Sequence, residues 1–84
     1  MNHTYRTEIL TAALDARIRE VTEYQVNIDN FRRAIIKCGS DPELATFKDQ
    51  LEALLASSLH EQKKAQIMLD VIQEQIGGSD VGQG

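Results

Sequence analysis

The side chains that could carry chemistry in this chain are its two histidines, one cysteine and thirteen carboxylates, and their spacing gathers none of them into a site. His60 is followed by Glu61, and adjacent residues of a helix point in different directions, so the two do not share a face. No second His or Cys stands at metal-ligand spacing from His60, and His3 lies at the far end of the chain. Cys38 has no cysteine to pair with and no histidine nearby to draw off its proton, so it reads as a small apolar residue packed at a turn. The carboxylates are scattered, and no glycine-rich loop is present to cradle phosphate. These features predict no enzyme, no cofactor and no metal.

Charge points the same way. The net charge is −4, with basic residues interspersed among acids, whereas a nucleic-acid surface carries a clustered basic stripe. Arg32-Arg33-Lys37 and Lys63-Lys64 read as ordinary solvated helix faces, so no nucleic-acid partner is expected. No apolar run approaches the roughly 18 residues of a membrane span. Met1-Asn2-His3-Thr4-Tyr5-Arg6 has no apolar core of the kind a secretory signal needs. A cytoplasmic location is expected, and a single cysteine is consistent with a reducing compartment.

The element that organises the chain is Cys38-Gly39-Ser40-Asp41-Pro42-Glu43, the one internal cluster of helix breakers. Gly39 can close a helix in the left-handed conformation. Ser40 or Asp41 can cap the next one, Pro42 suits its first position, and Glu43 complements the dipole. Upstream, Leu10, Leu14, Val21, Tyr24, Ile28, Phe31 and Ile35 recur in steps of four and three once Arg17 is given a place, a heptad-like seam. Downstream the stripe runs Leu44, Phe47, Leu51, Leu54/Leu55, Ser58/Leu59, Ala65, Met68/Leu69, Ile72 and Ile76, with a polar middle from Ser57 to Gln66 where looser packing is expected. Asp15–Arg19 and Asp29–Arg33 stand at the i,i+4 spacing that favours ion pairs.

The expected fold is all-α: an antiparallel two-helix hairpin, coiled-coil-like, that can dimerise into a four-helix bundle. Residues 1–76 form a single domain, with helix one at about 7–37, a turn at 38–41 and helix two at about 42–76. Residues 1–6 form a frayed lead-in. Gly77-Gly78 is expected to stop helix two and leave 77–84 as a disordered tail.

Two helices shield only one stripe each, and Ile9, Ile18, Ile36, Ile67 and Val71 fall off the main seams. Surplus apolar surface of this kind marks an interaction site. Phe31, Ile35, Phe47, Leu51 and Leu55, at helical spacing on either side of the turn, are the candidate partner-binding anchors.

Residues 10–76 resemble the small co-chaperones of type III secretion needle proteins. The resemblance lies in Asn30-Phe31-Arg32-Arg33 before the turn, Asp41-Pro42-Glu43-Leu44 with Phe47 after it, and the Leu51/Leu55 repeat. It implies a helical hairpin that joins a larger tetratricopeptide-like, helical-repeat chaperone, the two together keeping the needle subunit from polymerising in the cytoplasm. Needle subunits are also similar, through a turn matching Ser40-Asp41-Pro42. This chain lacks their N-terminal Trp and ends in a Gly-rich stretch, which places a needle-like structural subunit second. A small helical regulatory inhibitor of the kind phages encode, acting through acidic side chains, is a third expectation.

Overall fold

The computed structural model describes Asn2–Val81, with side chains from Tyr5 to Gly77. Helix α1 spans Asn2–Cys38, a single 3-10 turn covers Pro42–Leu44, and helix α2 spans Ala45–Val81. The two helices pack antiparallel along their length, and among the described residues there is no strand. The result is a rod of 63 × 18 × 14 Å with a radius of gyration of 18.8 Å. A globular chain of this length would have a radius of about 12 Å. The antiparallel helical hairpin is therefore the fold, as the helix-breaker cluster and the heptad seam predict.

Asp41 caps the second arm. Its Oδ1 accepts from Glu43 N–H at 2.9 Å, and Pro42 takes the first helical position. Gly39 closes α1 at φ +54°, with its N–H shared between Ile35 O at 3.4 Å and Ile36 O at 3.1 Å. A Cβ there would meet nothing closer than Ile36 O at 3.9 Å, so backbone conformation rather than crowding selects glycine. Lys48 reaches back across the turn to donate to Gly39 O at 3.0 Å, tying the second arm to the end of the first.

The α1 seam follows the expected heptad. Leu10, Leu14, Arg17, Val21, Tyr24, Ile28, Phe31, Ile35 and Cys38 are each buried or half-buried. Arg17 keeps its place by laying its stem along the seam and carrying its guanidinium out to both carboxylate oxygens of Glu20, each at 3.0 Å. In α2 the seam is Lys48, Leu51, Leu55, Ser58, Gln62, Ala65, Leu69, Ile72 and Ile76, also in strict steps of three and four. Leu54, Leu59 and Met68 therefore lie outside it, and so do Leu44 and Phe47.

The polar middle of α2 is tied to α1 through Gln62. Gln62 Nε2 donates to Val21 O at 3.2 Å and to Gln25 Oε1 at 2.9 Å, which fixes the register between the arms. That register sets Ile28 across from Ser58 and Val21 across from Ala65, large against small. Ile28, 1% exposed, and Ala65, 3% exposed, are the most buried side chains described. Small partners let the helices approach closely, and a bonded Gln62 leaves no orphaned polar group in the seam.

Three local expectations are corrected. Helix one begins at Asn2 rather than near residue 7, so the lead-in is helical from Asn2 onward, and Met1 lies outside the described residues. Helix two continues through Gly77-Gly78 to Val81 instead of stopping at Ile76. Gly77 has no left-handed φ and open space where a Cβ would stand, so nothing diverts the chain out of the helix. Glycine lowers helix propensity by about 1 kcal/mol but stops a helix only where the backbone turns away. Of the expected tail, 82–84 lie outside the described residues. Third, Asp29 accepts from Gln25 Nε2 at 3.0 Å while Arg33 donates to Asn30 Oδ1 at 2.7 Å, and Asp15 and Arg19 do not pair. On an exposed face such neutral partners compete evenly with ion pairs.

Candidate protein-docking groove

Labelling the seam positions a and d, with Val21 and Ile28 at a, places two flanks beside it. Positions e and b line one flank, and g and c line the other. On the e/b flank, near the turn, the arms leave a groove of about 400 Å³ lined by Arg32, Ile35 and Ile36 of α1 and by Glu52, Leu55, Ala56 and Leu59 of α2. Its walls are apolar from both helices. Ile36 is 76% exposed, and Leu59 is exposed on the facing wall. Arg32 stands at one rim and Glu52 at the other.

The seam periodicity explains the groove. Ile35 and Leu55 are seam residues whose outer edges form its floor, while Ile36 and Leu59 stand one step outward and rise as its sides. Ala56, small at a b position, keeps the groove open between them.

The structure divides the five candidate anchors. Ile35 and Leu55 come together in the groove. Leu51, 7% exposed, is buried in the seam, and Phe31 is half-buried there. Phe47 is 52% exposed and sits at a g position, on the opposite flank. Arg32, Ile36, Glu52, Ala56 and Leu59 line the groove without having been singled out as anchors from the sequence. Ile36 carries a readable signal, a large apolar residue one step off the seam. Leu59 does not, because the adjacent Ser58 and Leu59 compete for one seam position.

The g/c flank carries a second cleft at mid-length, about 470 Å³, with a mixed lining that includes Arg17, Glu20, Glu23, Glu61 and Lys64. Arg17 binds both carboxylate oxygens of Glu20, while Lys64 Nζ lies 3.8 Å from Glu61 Oε2 in a looser, partly exposed pair. Among the described residues no three His, Cys, Asp or Glu side chains converge to hold a metal ion. His60 is exposed and Cys38 is a free, buried thiol at the end of α1. The side chain of His3 lies outside the described residues. No described helix is long and apolar enough to cross a membrane. Comparison of the chain with protein-family models, with curated proteins and with solved structures finds no match.

Proposed function

We propose that this chain is a non-catalytic docking module whose turn-proximal groove holds an apolar helix of another protein. The observation that carries this reading is the groove itself. Both helices contribute large apolar side chains that the hairpin does not use to hold itself together. An amphipathic helix laid between two helices buries anchors at i, i+3/i+4 and i+7, the mode in which a few side chains supply most of the affinity. Arg32 and Glu52 on opposite rims would orient the incoming helix by its charges more than they would tighten it.

The resemblance to the needle co-chaperones supplies a specific form of this reading. The occupant is then a helix of a helical-repeat chaperone, and the pair shields a needle subunit in the cytoplasm. The tight Asp41-Pro42 turn and the apolar walls beside it support that form, since the resembling stretches flank the same turn.

The test is to capture binding proteins from the native extract with the wild-type chain and with Leu59→Glu, after confirming equal helicity. The reading expects a defined protein retained by the wild type and lost on Leu59→Glu. For the co-chaperone form, that protein is a helical-repeat chaperone. Equal retention on both chains would contradict docking in the groove. Loss of binding only on charge changes at Arg32 or Glu52 would favour an electrostatic inhibitor.

A further inference from the structure

The g/c flank of α2 carries its own three-four repeat, Phe47, Gln50, Leu54, Ser57, Glu61, Lys64, Met68, Val71 and Gln75. Phe47, Leu54, Met68 and Val71 on this line are large, apolar and about half exposed. On the same flank α1 offers Ala13 and Ala34, small residues that leave the α2 line accessible. We propose that a second copy of this chain packs antiparallel against this line, about a two-fold axis between Gln62 and Lys63.

Charge selects this register. An antiparallel pair of such lines brings a g residue of one copy opposite a c residue of the other. With the axis between Gln62 and Lys63, Glu61 faces Lys64 of the second copy, and Lys64 faces its Glu61, an isologous arrangement. The same register sets Leu54 against Val71 and Met68 against Ser57, so two apolar Leu54–Val71 layers bracket the charged centre from either side. Shifting by one heptad places Val71 against Glu61 or Leu54 against Lys64. A parallel pairing would put Glu61 on Glu61 and Lys64 on Lys64. Within one chain Glu61 and Lys64 are only loosely paired, at 3.8 Å and partly exposed, so both are free to re-pair across the axis.

This pairing uses the flank opposite the docking groove and stands independently of the function proposed for that groove.

The test combines single charge reversals with mixing, read by sedimentation over a wide concentration range with helicity checked by circular dichroism. Both positions are partly exposed, so the hairpin should fold in each variant. Glu61→Lys alone sets lysine against lysine across the axis, and Lys64→Glu alone sets glutamate against glutamate. Each should weaken self-association by about tenfold or more. An equimolar mixture of the two should recover it as a heterodimer, because every cross-axis contact is then complementary. Pairs within a chain stay mismatched in the mixture, so recovery reads the contact between copies. Leu59→Glu, on the other flank, should leave self-association unchanged. A wild-type chain that stays monomeric throughout would overturn the proposal. So would a dimer indifferent to both reversals, a mixture without recovery, or a dimer broken by Leu59→Glu.

Discussion

The two flanks of one seam are built to different plans. On the e/b flank, apolar side chains from both helices face each other near the turn, and a groove results. On the g/c flank the large apolar residues run mainly along α2, separated at mid-length by Glu61 and Lys64, while α1 contributes small or polar residues apart from Ile9 toward the open end. Two facing apolar walls suit a helix inserted between them. A single interrupted line suits an antiparallel copy of itself. The backbone geometry is the same on both sides, so the difference lies in which heptad positions carry large residues. In a rod this thin, the seam holds the arms together and both flanks remain open to solvent.

That division can be broken at its root. Ile28→Ala removes the most buried side chain of the seam and should cost about 3 kcal/mol, seen as a large fall in melting temperature. Both flanks would then fail together, because they share one frame.

Next in size is the separation of the flanks. Leu59→Glu combined with Ile36→Glu should weaken partner docking by about 2 kcal/mol or more, roughly thirtyfold, with helicity unchanged. Leu54→Glu should leave docking intact, since Leu54 lies at a g position outside the groove. Competition binding with a captured partner measures both. Equal losses would erase the distinction between the flanks.

Gly39→Ala tests the hinge that both flanks depend on. Alanine at φ +54° should destabilise the hairpin by about 1 kcal/mol, measured by denaturant unfolding, with no clash to relieve. The smallest effect is expected at Gly77, where helical backbone and open space predict that Gly77→Ala stabilises the end of α2 by about 0.5–1 kcal/mol. Amide exchange near residues 73–77 would slow, and both flanks would behave as in the wild type.

Much of the frame was legible in the sequence. Gly39, Asp41 and Pro42 announce the turn because each does something that few other residues do there. The α1 heptad is legible even at Arg17, since its neighbours keep step on both sides. The α2 register is harder to read. Leu54/Leu55, Ser58/Leu59 and Met68/Leu69 each offer two residues for one seam position, and Lys48 and Gln62 fill seam positions that a search for apolar residues passes over. Only contacts across the arms, such as Gln62 to Val21 O and Gln25, resolve it. Gly77 misled for a related reason. A glycine signals a stop only when the backbone uses its left-handed freedom, and residue type alone does not show that. The groove was half visible, through Ile35 and Leu55, and its walls depended on the unresolved α2 register.

Whether the groove flank holds a partner decides the proposed function. The decisive measurement is capture of a binding protein from the native extract by three folded chains in parallel: the wild type, Leu59→Glu and Leu54→Glu. A protein held by the wild type and by Leu54→Glu, and lost on Leu59→Glu, is the expected result. A protein held equally by all three, or lost only on Leu54→Glu, would contradict it.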